Sequence, residues 1–353
     1  MDRLAAWQAL ATPEGAALLE RLGRREEAPS ASDISRLRVD HAPDMVATAI
    51  ELSLARIRAA VKFGDGAVRL WADRPGVEMA SSPAVAAWKA DRFRRVGARS
   101  IDDLCCGIGG DLMALAAVAP TVGADIDPVR AWMAGRNSGA MTRVADVKQD
   151  LGGASHAHVD PARRAGSGVR AWRGEDLEPP LPALAAMVAP RYGAAVKLGP
   201  GFDLEAGTLG DAIEREFIAE GWQLVQQVAW TGDLAGEPGC TRATRVDLGC
   251  SLVGMPQDRL PAATRAGRAL FVPHPALERA KLVAHACADL AAAELAPGLG
   301  ILTGDRCTLP GGHAPWFRAW EIIESMPARE RDVARWIAAR GGGIVTVHTR
   351  GGA

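Results

Sequence analysis

Ile101-Asp102-Asp103-Leu104-Cys105-Cys106-Gly107-Ile108-Gly109-Gly110-Asp111 is the stretch from which the rest of this chain is read. An apolar lead-in ends in acids, a glycine-containing turn follows, and Leu112-Met113-Ala114-Leu115-Ala116-Ala117 continues as helix. The order is strand, tight loop, helix. Gly107, Gly109 and Gly110 let the backbone bend sharply and approach a ligand where a Cβ would obstruct. The first turn of the helix offers free N–H groups and a positive dipole end, which suit a carboxylate or phosphate. Alone, such a loop serves a dinucleotide or is a plain tight turn. About one βαβ unit later, Thr121-Val122-Gly123-Ala124-Asp125-Ile126-Asp127-Pro128 is a second strand ending in acids, where an acid can bond ribose hydroxyls. Asp146 and Asp160 follow at two further strand ends.

This loop does not match the dinucleotide fingerprint Gly-x-Gly-x-x-Gly. The pattern resembles instead the S-adenosylmethionine (SAM)-dependent methyltransferases with a Rossmann-like domain. The resemblance implies a SAM site made of Asp103, Cys105, Gly107, Gly109, Asp111, Asp125, Asp127 and Asp146. The loop would hold the methionine moiety, the second-strand acid the ribose and the third acid the adenine.

A chain of 353 residues suggests two or three domains, and 48% hydrophobic with 24% charged residues is ordinary for a globular protein with a real core. The formal charge of −1 gives no chain-wide basic field, which argues against an indiscriminate nucleic-acid binder but leaves a local basic face open. The lysines are Lys62, Lys89, Lys148, Lys197 and Lys281. The six cysteines form no Cys-x-x-Cys pair, and no apolar run approaches bilayer length. With no signal peptide at the start, a reducing cytoplasm is the expected location, with no membrane and no metal partner.

Residues 1–98 read as a mostly helical domain, 99–255 as a doubly wound α/β domain and 256–353 as a third unit. Within the first, Ala67 to Trp71 reads as a short strand, while Arg56, Arg58 and Lys62 read as solvated helix charges or an RNA-facing edge. Within the second, the polar stretch Ala165 to Pro182 reads as a loop over the site and Leu209 to Ala219 as a helix. Trp222 to Trp230 and Thr244 to Cys250 read as closing strands. The third unit is mildly basic, with helices from Leu277 to Leu295 and Ala328 to Arg340 and a terminal strand Ile344 to His348.

Taken whole, the chain resembles a bacterial family of methyltransferases with a THUMP-like C-terminal domain. The resemblance rests on Val61-Lys62-Phe63-Gly64, Ser82-Pro83-Ala84-Val85-Ala86, the Asp103-to-Asp111 loop and Asp125-Ile126-Asp127-Pro128. It continues through Val159-Asp160-Pro161-Ala162-Arg163-Arg164, Lys197-Leu198-Gly199-Pro200-Gly201-Phe202-Asp203 and Pro273-His274-Pro275-Ala276. It implies a seven-stranded, mostly parallel Rossmann-like sheet, a helical N-terminal region, a small α+β THUMP-like domain and action on RNA. Two departures stand out: Cys105 replaces the first glycine of the loop, and the tail Val347-His348-Thr349-Arg350-Gly351 carries less charge than the family's Lys-Lys-Arg-Gly-like end.

Asp160-Pro161 stands where base-amino methyltransferases carry Asp-Pro-Pro-Tyr, with Ala162 and Arg163 in place of the proline and aromatic. Ordinary adenine-N6 methylation is therefore disfavoured. Asp160, Pro161 and Arg163 are the candidate catalytic residues, and Arg164 and Lys197 the candidate substrate contacts, since a guanidinium grips phosphate or carboxylate through paired hydrogen bonds. Salt bridges to neighbouring acids are the plainer reading of those cations. A uracil-C5 mechanism would need a cysteine nucleophile, for which Cys240 and Cys250 lack the sequence setting. Trp172 and Tyr192 can stack on a base or pack, and His156 and His158 share one strand face. The acceptor is expected to be an exocyclic or ring nitrogen of RNA, or a small molecule or peptide; a non-catalytic SAM- or RNA-binding module is the third possibility.

Overall fold

The computed structural model describes residues 2–23, 29–163, 177–327 and 329–346. Six helices open the chain: α1 (Arg3–Ala9), α2 (Pro13–Leu22), α3 (Ala31–Asp40), α4 (Pro43–Phe63), α5 (Arg74–Met79) and α6 (Pro83–Arg95). Their starts are written in the sequence. Ser30 and Asp33 form a capping box on α3, and Ser82 accepts the Val85 N–H ahead of Pro83 in the first turn of α6. The long α4 buries Met45, Val46, Ala49, Leu52, Ala55 and Ala59 against Trp7, Leu10 and Leu18. That core runs on into Ile108, Val129 and Met133, so the N-terminal helices lean directly on the glycine loop. The strand expected at Ala67 to Trp71 is a single 3-10 helix, Gly64–Arg69, which buries Ala67 in the helical core with no strand beside it to pair with.

The central sheet joins β1 (Ile101–Leu104), β2 (Thr121–Asp125), β3 (Met141–Val144) and β4 (His156–Val159). A small hairpin, β5 (Ala162–Arg163) with β6 (Leu177–Glu178), stands apart from it. The sheet continues with β7 (Gly193–Leu198), β8 (Glu214–Glu220), β9 (Gln223–Gly232), β10 (Thr241–Arg245) and β11 (Cys250–Gly254). Its order is β11-β10-β8-β9-β7-β4-β1-β2-β3: nine strands among the described residues, not the seven expected. From β7 through β4, β1 and β2 to β3 the pairs are all parallel, while β9 runs against both β7 and β8. Helices α7 (Leu112–Ala116), α8 (Pro128–Ser138) and α9 (Leu181–Val188) follow β1, β2 and β6.

One of the two extra strands comes from the run Thr244 to Cys250, which is the end of β10, a turn and the start of β11 rather than a single strand. The helix expected from Leu209 to Ala219 is instead β8. Ile213 and Phe217 lie four apart and mimic a helix face, but the alternation is decisive. Glu214 accepts from Arg92 at 2.7 Å and from Arg242 at 2.7 Å, and Glu216 accepts from the indoles of Trp88 and Trp230 at 2.8 Å each. Buried carboxylates satisfied from neighbouring elements pin the strand's register.

The C-terminal region builds a four-stranded sheet from β12 (Ala269–Pro273), β13 (Ala292–Glu294), β14 (Leu302–Gly304) and β15 (Phe317–Glu321), with α10 (Pro275–Arg279) and α11 (Val283–Leu290). The single helix expected from Leu277 to Leu295 is divided because Lys281 (φ 57°) and Ala291 (φ 47°) adopt left-handed backbone. Phe271, Leu277, Leu290 and Trp316 pack on Phe217 and Ala219 of β8, which fastens this region to the main sheet. His274 caps α10 and also bonds the Gly221 carbonyl at 2.9 Å, giving the Pro-His-Pro motif its structural purpose. Helix α12 (Glu330–Ala338) closes the description. The expected terminal strand is not formed over residues 344–346, and 347–348 lie outside the described residues.

Candidate active site

Parallel strands deliver their C-terminal ends to one edge, and β1 lies where the strand order reverses, between β4 and β2. A cavity of about 720 Å³ opens there, bordered by Cys105 to Ile108, Asp111, Asp125 to Asp127, Asp146, Asp160, Pro161 and Lys197. Its outer wall comes from the N-terminal region, Glu78 to Ser81, and from β6.

Asp125 organises the loop across from it. One carboxylate oxygen accepts the Gly107 N–H at 2.8 Å and the other the Asp127 N–H at 2.9 Å. Burial raises its pKa, opposed by those same two N–H groups. Asp127 caps α8 by accepting the Val129 N–H at 2.8 Å and meets Arg3 at 2.9 Å. Asp146 turns the chain after β3 by accepting the Lys148 N–H at 3.0 Å, and it borders the cavity with Val147.

Two residues of the expected cofactor set do not border the cavity. Gly109 has φ 86°, and a Cβ there would meet the Ala134 backbone at 3.0 Å, so it serves the packing of the loop on α8. Asp103 is 0% exposed and lies beneath the loop, bonded to His158 Nδ1 at 2.7 Å. Burial raises its pKa.

Asp103 belongs to a buried ionic cluster that sequence reasoning missed. Lys89, 1% exposed, reaches from α6 to Asp111 at 2.7 Å and to His158 Nε2 at 3.3 Å. An ammonium only donates, so His158 Nε2 accepts and Nδ1 carries the proton given to Asp103. Ser81 donates to Asp111 at 2.9 Å. Burial would push the Asp111 carboxyl up, but the Lys89 ammonium, with His158 and Lys197 beyond it, holds it well below the usual carboxylate range. Burial lowers the pKa of Lys89. The only signal in the sequence was a rare lysine inside an otherwise apolar helix face.

At the tip of β4, Asp160 Oδ2 meets Lys197 Nζ, from the end of β7, at 2.7 Å. Burial opposes the charge on Lys197, but Asp160 and Asp111 raise its pKa overall. The structure thus brings Asp160, Pro161 and Lys197 to one wall. Arg163 contributes backbone to β5 and its side chain is outside the described residues, as are Arg164, Trp172 and most of the expected loop over the site. Tyr192 precedes β7, at the opposite end of the strands from the cavity, and stacks near His156. Cys240 and Cys250 lie at the β10–β11 edge and border no part of the cavity, which removes the uracil-type nucleophile. Cys105 and Cys106 do border it, but burial holds both thiols well above the ordinary range. Arg56 donates to the Leu70 carbonyl and Lys62 to three carbonyls, which fixes both half-buried side chains within the N-terminal region, while Arg58 is exposed.

The donor set fits an uncharged nucleoside better than a phosphate. Among the described residues, each cation on the wall faces a carboxylate: Arg130 with Asp73 at 3.8 Å, Lys148 with Glu178 at 2.8 Å and Lys197 with Asp160. Asp125, Asp127 and Asp146 present carboxylates that can accept from hydroxyl and amino groups, with apolar Ile126 and Val147 beside them on the wall. Among the described residues no group of three or more side chains could hold a metal ion, and no helix is long and apolar enough to cross a membrane.

Fold and crevice together define a Rossmann-like α/β domain with a cavity at the carboxyl ends of its parallel strands. The chain is similar to two uncharacterized S-adenosylmethionine-dependent methyltransferases of Mycobacterium tuberculosis, strains CDC 1551 and H37Rv. Each is 32% identical over 324 residues, spanning 88% of this chain and 86% of the relative. The crystal structure of a presumed methyltransferase from Porphyromonas gingivalis W83 shares the fold, with a TM-score of 0.70 at 19% identity over 96% of this chain and 86% of that one. A domain of unknown function (DUF8688) matches residues 2–59, within the helical N-terminal region. The chain belongs to the S-adenosylmethionine-dependent methyltransferases, and SAM is its cofactor.

Proposed function

We propose that this enzyme methylates a nitrogen, with Asp160 accepting the N–H of the acceptor. The observation that carries this is the Asp160–Lys197 pair on the cavity wall: a carboxylate held by the lysine at 2.7 Å, on a wall that Pro161, Leu198 and Phe202 also line. A carboxylate accepts hydrogens from nitrogen, and within hydrogen-bond reach it serves as general base when the nitrogen must lose a proton. SAM supplies an activated methyl when bound, so the chain's task is alignment of the two partners. Gly107, Asp125, Asp127 and Asp146 would hold the cofactor, with Asp111 and Cys105 at its methionine end and Asp103 supporting the loop from below.

An RNA base is the acceptor implied by the resemblance to the THUMP-like family, with the flanking regions binding the RNA. A small molecule is the second reading, and one observation favours it. The lysines on this side, Lys62, Lys148 and Lys197, are all engaged by carbonyls or carboxylates, which leaves little positive charge for a phosphate backbone. Methyl transfer from labelled SAM to total RNA and to a small-molecule extract, both from cells lacking the gene, tests the proposal. Label on nitrogen supports it; label on oxygen, sulfur or carbon refutes it. If the acceptor is RNA, its affinity falls steeply with salt.

A further inference from the structure

A second cavity, about 640 Å³, adjoins the first, and Met79, Ser81, Lys197 and Gln226 border both. Its walls also include Val61 and Lys62 of α4, Ser82 and Val85 at the start of α6, Glu220, and Gln223 and Leu224 of β9. Lys62 donates to the carbonyls of Val77, Glu78 and Ala80 at 2.7, 3.0 and 2.9 Å, tying α4 to the segment between the two cavities. On the C-terminal side, Arg279 donates at 3.2 Å to the carbonyl of Pro200, which lines both cavities. Both flanking regions therefore hold segments that wall the second cavity.

The junction of the two cavities has a specific donor and acceptor pattern. Lys197 Nζ spends one hydrogen on Asp160 Oδ2 at 2.7 Å and one on the Met79 carbonyl at 3.2 Å, which leaves a third. Asp160 keeps its other oxygen as an acceptor. Gln226, 3% exposed, also borders both cavities, with its amide 3.3 Å from the Ser81 hydroxyl. One acceptor beside one donor is the complement of a planar H–N–C=O edge.

We propose that the second cavity receives the methyl acceptor and that the acceptor group is a lactam or amide, whose N–H meets Asp160 and whose carbonyl oxygen meets Lys197. This deepens the nitrogen-methylation reading and rests on it. The N–H proton passes to Asp160 as negative charge develops on the carbonyl oxygen beside the Lys197 ammonium. The nitrogen lone pair forms the new N–C bond while the C–S bond of SAM breaks, its electron pair remaining on sulfur. An exocyclic amine lacks the adjacent oxygen and leaves the Lys197 donor unmet, so Lys197 separates the two acceptor classes.

The probe is 2-pyridone, the simplest ring lactam, with aniline as the amine control, each at millimolar concentration on the full chain with S-adenosylhomocysteine. Ligand-observed NMR and a soaked crystal give the readout. The lactam is expected at the Asp160–Lys197 junction, with binding at least about tenfold weaker in Lys197→Met, in line with loss of a charge-assisted bond. Val61→Trp, on an exposed face of α4, should narrow the second cavity and weaken 2-pyridone while leaving S-adenosylhomocysteine affinity unchanged. Equal binding of aniline, a lactam lodged elsewhere, no lactam binding, or indifference to Lys197→Met overturns the assignment. In the labelled-methyl reaction, label on a ring or amide nitrogen beside a carbonyl supports it and tells an RNA base from a free small molecule; label on an exocyclic amine overturns it. Failure of SAM to bind, with 2-pyridone still seated at the junction, would count against the methyl-transfer reading alone.

Discussion

The backbone N–H of Gly107 donates to Asp125 Oδ2 at 2.8 Å, so the acid that ends β2 also closes the bend that follows β1. The two halves of the proposed SAM site are thereby one unit. A ligand that engages Asp125 meets a loop whose shape Asp125 already fixes, and part of the ordering that binding requires is complete beforehand.

Asp125→Ala should therefore weaken SAM binding through both the lost contact and the loosened loop. Hydrogen bonds to charged groups are worth about 1.5–3 kcal/mol, which predicts a roughly 10- to 100-fold rise in Kd by calorimetry. An unchanged affinity would remove Asp125 from the ribose site.

Asp160→Ala separates binding from chemistry. Loss of a general base typically costs about 10²–10⁴ in rate, while the SAM contacts proposed for the loop and for Asp125 remain. The expected result is a large fall in turnover with SAM affinity nearly intact. A fully active variant would take Asp160 out of the catalytic step.

Lys89→Met leaves the Asp111 carboxylate buried without its ammonium. Breaking a buried pair from one side typically costs about 3–5 kcal/mol, because the stranded charge keeps its desolvation penalty. Urea unfolding should show a loss of that order. A loss below about 1 kcal/mol, the range of an exposed pair, would mean that water reaches Asp111.

Much of this arrangement was legible in the sequence for a local reason. Strand, glycine bend and acid lie within a few residues, and each acid marks a strand end, so the crevice at β1, β2 and β4 could be placed from spacing alone. Non-local chemistry was hidden. Lys89 precedes Asp111 and His158 by 22 and 69 residues, and only folding brings the three together. The same non-locality concealed β8, where the groups that satisfy Glu214 and Glu216, namely Arg92, Arg242 and two indoles, arrive from other elements. Asp103 was a further case: its position matched a cofactor acid, yet His158, on the neighbouring strand, claims its carboxylate.

Acid titration should reveal the cluster by the sign of its slopes. The folded pKa of Asp111 lies below the unfolded value of about 3.9, so its stabilisation is full above that pH and disappears as pH falls toward the folded value. Asp103, raised by burial, behaves oppositely: its contribution is full below about 3.9 and fades as pH rises through the folded value. Urea midpoints measured from pH 5 downward should therefore fall less steeply in Asp111→Asn than in the parent, and more steeply in Asp103→Asn. Parallel curves for all three proteins would contradict this account of the cluster.

Cys105 is the position where the sequence departs from the usual glycine, and the backbone shows the consequence: φ is 62°, in the left-handed region. For a residue with a Cβ this conformation costs roughly 1–2 kcal/mol, whereas glycine adopts it freely. Cys105→Gly also widens the unfolded ensemble, which removes about 0.4–1 kcal/mol of stability. The strain term is the larger, so the variant should be more stable by up to about 1 kcal/mol, read from the urea midpoint. The thiol also borders the cavity, and its removal opens the methionine end. Stability and SAM affinity should then move separately: a more stable variant whose Kd for SAM changes shows that the cysteine shapes the cofactor's seat, whereas a destabilised variant shows that its packing outweighs the strain.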